Sequence, residues 1–235
     1  MILWFYWLSH WVSRVFLVLW TRRRRVGHEQ MPRDGRVLLV ANHASFLDPP
    51  LVGTAIGRTV HYLARESLTR IPVLGRMIRW LGTMFVDLEG SPRRGLMLAI
   101  EQLEQDHVVC LFPEGTRSHD GSIGEFARGM ELVLRRTRTP VVPVGIRGSF
   151  ECMGRGKRWP RPVRTEVHYG APMTAEEILA PGGMRELRNR VCHLAGRPQD
   201  AETGDDADAS TDRGAPSAAA GREAPRTAPA EQGAR

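Results

Sequence analysis

The sequence predicts an α/β fold, with a mostly parallel central sheet flanked by helices and an N-terminal membrane-associated helix. Short apolar runs alternate with amphipathic stretches between residues 27 and 196, and strands that alternate with helices indicate a parallel sheet covered on both faces. Sixteen of the first twenty residues are apolar or aromatic, and beyond residue 197 large apolar side chains almost vanish, which is typical of disorder. The predicted organisation is a hydrophobic helix with a basic flank (1–25), one folded domain (26–196) and a disordered tail (197–235).

The N-terminal helix is predicted to associate with a membrane. Twenty helical residues extend ~30 Å, about the thickness of the hydrocarbon core of a bilayer. The polar residues Ser9, His10, Ser13 and Arg14 share one side of this helix, so it either spans the bilayer or lies in the interface with that side toward water. Four arginines follow at 22–25 and favour an anionic surface at the cytoplasmic face of the cell membrane. A helix buried in the protein core is the remaining alternative.

Six apolar runs are predicted to form the sheet, near residues 37–41, 60–64, 83–87, 108–112, 140–146 and 163–169. Helical patterns lie between and after them, near residues 50–57, 66–80, 93–107, 126–137 and 174–195. The clearest helix carries Leu96, Ile100 and Leu103 on one face, as the 3.6-residue period requires. The proline within VVPVGIRG, at 141–148, is typical of an edge strand or a bulge.

Charge is unevenly distributed along the chain, whose net charge is +7. From Arg197 onward 5 arginines face 8 acidic residues, which gives −3 there and leaves +10 on residues 1–196. A basic body fits a partner with phosphates: nucleic acid, an anionic membrane or a phosphorylated small molecule. Nucleic acid is disfavoured because the arginines are scattered and the chain begins with a membrane segment. Cys110, Cys152 and Cys192 have no metal-binding spacing, so we expect no metal and a reducing compartment.

The stretch ANHASFLDPP, residues 41–50, follows the first predicted strand and places His43 five residues before Asp48. These side chains can meet only if the chain turns between them, and the two prolines after Asp48 support a turn into a helix. A carboxylate that fixes the tautomer of an imidazole makes a general base. No nucleophile-elbow pattern is present, so the pair would activate a substrate hydroxyl directly. The alternative is that Asp48 only caps the following helix.

The second informative stretch is FPEGTRS, residues 112–118, after the strand VVCL. Gly115 permits a left-handed turn with amide groups facing a ligand. Thr116 offers a hydroxyl, and the planar fork of Arg117 matches phosphate. Glu114 could hold Arg117 or contact a substrate hydroxyl. The alternative is a surface turn with an ordinary glutamate–arginine pair. Because ligands bind beyond the carboxyl ends of parallel strands, both stretches are candidates for one site.

These two motifs, together with G-x-x-F-V-D at 82–87 and VPVGI at 142–146, resemble the glycerolipid acyltransferases. The resemblance covers roughly residues 26–180 and is most specific in NH-x-S-x-x-D and FPEGTRS. It implies a membrane-surface enzyme closest to 1-acyl-glycerol-3-phosphate acyltransferase. Such an enzyme moves a fatty acyl group from acyl-CoA or acyl carrier protein to the free hydroxyl of lysophosphatidic acid, which forms phosphatidic acid in phospholipid biosynthesis. The resemblance implies no cofactor beyond the thioester co-substrate.

By position in the resemblance, His43 is the base and Asp48 orients it. The residues that correspond to the family's acceptor-phosphate motif are Glu114, Gly115, Thr116 and Arg117. The chain departs from the family at Leu88, where the second motif often has an arginine after its aspartate; Arg93 and Arg94 follow shortly after and are the nearest cationic substitutes.

Two alternatives to this function remain open from the sequence. In the first alternative, the acyl acceptor is a different lysolipid, such as a lyso-ornithine lipid or a lysophospholipid with a head group. Otherwise the protein is a non-catalytic peripheral membrane protein whose basic body binds anionic lipid, which leaves the spacing of His43 and Asp48 unexplained.

Overall fold

The structure, a computed structural model of the chain, describes residues 8, 11, 14–15, 17–65, 83–86, 92–157 and 159–197. Some predictions fall outside this part of the chain: most of the N-terminal helix, the helix near 66–80, Leu88 and the tail beyond residue 197. Among the described residues no helix is both long enough and apolar enough to cross a membrane. The membrane-associated helix therefore stays a prediction.

Seven strands of the described residues form one sheet: β1 (Arg24–Val26), β2 (Val37–Ala41), β3 (Val60–Arg65), β4 (Thr83–Val86), β5 (Val108–Leu111), β6 (Val141–Arg147) and β7 (Glu166–Tyr169). The described helices are α1 (Asp48–Gly53), α2 (Pro92–Glu104), α3 (Gly129–Thr137), α4 (Ser149–Met153), α5 (Ala175–Leu179) and α6 (Gly183–Leu194), with a 3₁₀ turn at His28–Gln30.

The strand order is β1-β7-β6-β2-β5-β3-β4. All neighbours pair in parallel except β6 and β7, so the prediction of a mostly parallel sheet flanked by helices is confirmed. The strand β2 lies in the centre and is buried along its whole length. Its side chains alternate between two core clusters: Leu39 packs on the side of α1, whereas Leu38 packs against α2, α3 and α6. A run of five apolar residues is what a strand covered on both faces requires.

Two features of the sheet differ from the sequence prediction. The strand β1 was not predicted because its residues, RRV, are exposed and show no apolar alternation; it forms by pairing with β7. The proline-containing strand β6 is central and not an edge, since it pairs with β2 and β7. Pro143 is tolerated because it lies opposite Gly170, which follows the last residue of β7 and donates its N–H to Pro143 O at 2.9 Å.

Part of the basic flank serves the fold. The Arg23 guanidinium donates to Leu51 O at 3.4 Å, to Thr54 O at 3.1 Å and to the Thr54 hydroxyl. Arg25 donates to Ala55 O at 3.0 Å. These carbonyls lie at the carboxyl end of α1, where a helix leaves carbonyl groups without partners and favours positive charge. Burial lowers the Arg23 pKa to about 10. Two of the four arginines assigned to a membrane surface therefore hold α1 in place.

Candidate active site

The site lies at the carboxyl edge of the central strands. The parallel neighbours β2 and β5 are in register with Leu39 opposite Cys110, so the loops that follow them leave the sheet side by side. These loops are joined directly: Glu114 Oε1 accepts the N–H of His43 at 2.7 Å, and His43 O accepts the N–H of Ser118 at 2.8 Å. The structure thus brings together the two stretches that the sequence selected.

His43 and Asp48 meet across the turn at residues 46–47. The distance from His43 Nδ1 to Asp48 Oδ2 is 2.9 Å, and the Asp48 side chain is fully buried as the first residue of α1. The same Oδ2 accepts the N–H groups of Ala44 and Ser45, each at 2.7 Å. The carboxylate therefore faces back toward the turn, and α1 has no side-chain cap at Leu47. This geometry is that of an orienting carboxylate and not of a helix cap.

The imidazole of His43 is held on two sides and open on a third. Because Asp48 Oδ2 already accepts from backbone N–H groups, His43 Nδ1 acts as the donor in their hydrogen bond, which leaves Nε2 as the basic nitrogen. The ring stacks on Phe112, with 4.2 Å between ring centroids. Among the described residues no protein group bonds to Nε2, and 19% of the side chain is exposed. A partly exposed imidazole whose Nδ1 is fixed by a buried carboxylate has the geometry of a general base.

Further polar groups fix the turn that carries His43. The buried Asn42 amide accepts the N–H of Ile146 at 2.7 Å and donates to Ile146 O at 3.1 Å, which ties the end of β2 to β6. The Ser45 hydroxyl donates to Met153 O at 2.8 Å and so attaches the turn to α4. Neither role was predicted from the sequence, although buried polar residues beside a candidate base are a usable signal, since such groups need defined partners.

Glu114 anchors two loops through main-chain groups. Its Oε1 accepts from the His43 N–H, and its Oε2 accepts from the Gly124 N–H at 3.2 Å. Burial raises the pKa of Glu114 to about 7, although both of these hydrogen bonds oppose the rise. The ordinary glutamate–arginine pair considered from the sequence does not form, since no described carboxylate lies at salt-bridge distance from Arg117. Glu114 thus sets where the main chain of His43 lies.

We expect Glu114→Gln to flatten the pH dependence of stability. The folded-state pKa of about 7 lies above the ordinary 4.5, so the folded protein binds the extra proton between these values and loses stability as pH rises through them. From about pH 5 to about pH 8, the free energy of unfolding of the wild type should fall by on the order of 2 kcal/mol relative to the variant. Denaturant unfolding at both pH values measures this, and parallel pH profiles would contradict it.

The remaining predicted residues form the outer wall of the site. Gly115 has φ 70° and an N–H that donates to Phe112 O at 3.1 Å, so its amide closes the turn. Thr116 is exposed. The Arg117 guanidinium lies over the Phe46 ring, 3.5 Å from its centroid. Burial, and then the neighbouring charge of Arg155, lower the Arg117 pKa. Phe46 and Arg155 were not predicted as part of the site.

Arg93 and Arg94, the cationic substitutes considered for Leu88, are both exposed on α2. Within the described residues, the hydrogen bonds of His43 and the ring contact of Arg117 involve neither of them.

Comparisons with known proteins place this site in a family. The family model for the acyltransferase domain matches residues 4–147, more than half of the chain. The chain is 32% identical over 172 residues to the chloroplastic 1-acyl-sn-glycerol-3-phosphate acyltransferase of Arabidopsis thaliana, covering 71% of this chain and 42% of the relative. It is also 32% identical over 139 residues to a probable 1-acyl-sn-glycerol-3-phosphate acyltransferase of Mycoplasma pneumoniae, covering 57% of this chain and 52% of the relative.

The chain therefore spans about half the length of the curated relatives it matches. Among solved structures it resembles the 1-acyl-sn-glycerophosphate acyltransferase PlsC of Thermotoga maritima, with a TM-score of 0.68 and 28% identity, over 81% of this chain and 79% of that one. The fold, the His43–Asp48 pair and the matched family model agree, and the chain belongs to the acyltransferase family.

Proposed function

We propose that this chain transfers a fatty acyl group from an acyl thioester, acyl-CoA or acyl carrier protein, to the free hydroxyl of 1-acyl-glycerol-3-phosphate, which yields phosphatidic acid. The observation that carries the proposal is the 2.9 Å contact between His43 Nδ1 and a fully buried Asp48, which leaves Nε2 without a bond to any described protein group. The names of the relatives support the same reaction.

In the proposed reaction, His43 Nε2 accepts the proton of the acceptor hydroxyl while the hydroxyl oxygen bonds to the thioester carbonyl carbon. The carbon–sulfur bond then breaks, the ester is released, and the thiolate takes up the proton held on Nε2. A positioned general base of this kind contributes about 10²–10⁴-fold. Because the thioester is already activated, the reaction needs no metal or redox cofactor.

The carboxylates have separate roles in this proposal. Asp48 keeps the proton on Nδ1 and stabilises the imidazolium that forms when Nε2 accepts the hydroxyl proton. Glu114 positions the main chain of His43 through the 2.7 Å bond to its N–H, so we assign it to positioning and not to the phosphate. Gly115 and Thr116 shape the wall at which Arg117 presents its guanidinium to the acceptor phosphate.

The experiment crosses acyl donors with acceptors. The purified chain is given acyl-CoA or acyl carrier protein with lysophosphatidic acid, lysophosphatidylcholine or a lyso-ornithine lipid. We expect lysophosphatidic acid to react at least roughly tenfold faster than the other acceptors, since Arg117 favours a phosphate with free oxygens. Faster transfer to another lysolipid would identify that lipid as the acceptor in place of lysophosphatidic acid. No transfer to any of the three lipids would favour a non-catalytic lipid-binding protein.

The proposal also places the chain at the cytoplasmic face of the membrane, where its lipid acceptor resides. Large apolar side chains are exposed on the N-terminal helical residues and on a nearby loop: Leu19 is 75% exposed and Trp159 is 81% exposed. Trp20 Nε1 donates to Pro160 O at 3.3 Å, which brings that loop to the N-terminal helical residues. Lys157 adds positive charge to the same loop. Exposed tryptophan beside basic residues fits the interface of an anionic bilayer.

Trp159→Ala should weaken binding to vesicles of anionic phospholipid several-fold, because one large interfacial side chain is removed. Met97→Ala serves as the matched control, since Met97 is an exposed apolar residue on α2, 48% exposed. Co-sedimentation with vesicles compares the two variants. If both variants bound vesicles as well as the wild type does, Trp159 would not contribute to membrane binding.

A further inference from the structure

The main chain at Arg155 lies next to the turn that carries His43. It follows α4, whose last residue, Met153, accepts the Ser45 hydroxyl at 2.8 Å. The next residue, Gly154, pairs with Ser45 in an isolated antiparallel bridge. Arg155 therefore lies at the same edge of the sheet as His43, although the two are 112 positions apart in the sequence.

Arg155 and Arg117 are held in neighbouring parts of the site, and within the described residues neither forms a salt bridge. Arg155 bonds to His119, two residues after Arg117, and it follows Gly154, which pairs with Ser45 beside the Phe46 ring that Arg117 covers. Burial lowers the pKa of Arg117, the positive charge of Arg155 lowers it further, and the negative charge of Asp48 raises it. The contacts that hold them are uncharged or aromatic: Arg155 Nη1 donates to His119 Nε2, and Arg117 lies over Phe46. Throughout the described part of the chain, no carboxylate is at salt-bridge distance from either arginine.

Other arginines of the domain do have such partners. Eight described arginines each have a carboxylate at salt-bridge distance: Arg36, Arg135, Arg136, Arg138, Arg164, Arg188, Arg190 and Arg197. Two like charges that lie near each other repel, and an anion bound between them removes that repulsion. A phosphate monoester supplies up to two negative charges and three oxygens that guanidinium forks can share.

We propose that Arg155 is a second cationic ligand of the acceptor phosphate, which it binds together with Arg117, and that this pair selects a phosphate monoester over a phosphodiester. A phosphodiester head group carries one negative charge and has one fewer terminal oxygen, so it satisfies two forks less well. His119 keeps Arg155 in place by accepting its hydrogen bond. This inference rests on the proposed acyl transfer to a lysolipid, and it identifies the residue that recognises the head group.

The test compares Arg155→Gln with Arg155→Lys and with a matched control. Arg136→Gln removes the same charge from the exposed face of α3, where Arg136 pairs with Glu104 at 3.9 Å. A soluble short-chain lysophosphatidic acid as acceptor avoids effects on membrane binding. We expect Arg155→Gln to raise KM for this acceptor roughly 10–100-fold with kcat and the donor KM within a few-fold of wild type. Lysine should recover part of the loss, since it restores charge without the fork.

The preference for lysophosphatidic acid over lysophosphatidylcholine should fall by a similar factor in Arg155→Gln, and Arg136→Gln should behave as wild type. An acceptor KM within twofold of wild type in a folded Arg155→Gln protein would overturn the inference. A binding measurement without any thioester separates this result from failure of the proposed reaction. Glycerol 3-phosphate should bind the wild type at least roughly tenfold more tightly than Arg155→Gln, and equal binding, or no binding by the wild type, would also overturn it.

Discussion

His43→Ala should lower the rate of acyl transfer to lysophosphatidic acid by roughly 10²–10⁴-fold, the contribution of a positioned general base. Alanine cannot accept the hydroxyl proton, and none of the groups that surround the ring replaces Nε2: Phe112 is apolar and Asp48 is fully buried. The binding groups near Arg117 are left in place, so the loss should be in kcat, while KM for the acceptor stays within a few-fold of wild type.

Initial rates with saturating thioester measure this effect, and a matched substitution controls for the loss of a histidine. His193→Ala changes an exposed histidine in the last turn of α6 and should retain wild-type activity. Thermal unfolding verifies that His43→Ala is folded, because the variant also removes the partner of a buried carboxylate. A folded His43→Ala protein that keeps activity within a few-fold of wild type would exclude His43 as the base.

The sequence predicted the centre of the sheet and the position of the site for the same physical reason. Continuous apolar runs such as VLLV are buried on both faces only in a covered parallel sheet, and β2 is such a strand. In that sheet, loops after neighbouring strands share one edge. The prediction that His43 and Glu114 belong to one site followed from this, and they are joined at 2.7 Å.

The residue pattern did not predict features that depend on contacts between segments distant in the sequence. β1 has three exposed residues and exists because β7 offers it a partner. α4 has five residues, too few to display a helical period. Arg155 follows α4, so its approach to Arg117 depends on the unpredicted position of that helix. The anchoring role of Glu114 could not be predicted either. Its carboxylate oxygens accept hydrogen bonds from main-chain N–H groups, and the sequence does not indicate which of these groups a side chain will meet.

Asp48→Asn should lower acyl transfer by roughly 10²–10⁴-fold while the protein stays folded. Asparagine has nearly the same volume, and its amide oxygen can still accept the N–H groups of Ala44 and Ser45, which bond to Asp48 Oδ2 at 2.7 Å each. The substitution removes the negative charge that lies 2.9 Å from His43 Nδ1. Without that charge, the imidazolium that forms during proton transfer loses its stabilisation, so kcat should fall.

Asp48→Ala separates this chemical role from a structural one. Alanine leaves the N–H groups of Ala44 and Ser45 without their acceptor, which costs about 1–3 kcal/mol for each buried group. We therefore expect Asp48→Ala to lower both stability and activity, whereas Asp48→Asn lowers activity with a smaller loss of stability. Denaturant unfolding and initial rates on the same preparations compare them. If Asp48→Asn kept near wild-type activity and only Asp48→Ala lost it, Asp48 would anchor the turn, and His43 would act without help from a charged carboxylate.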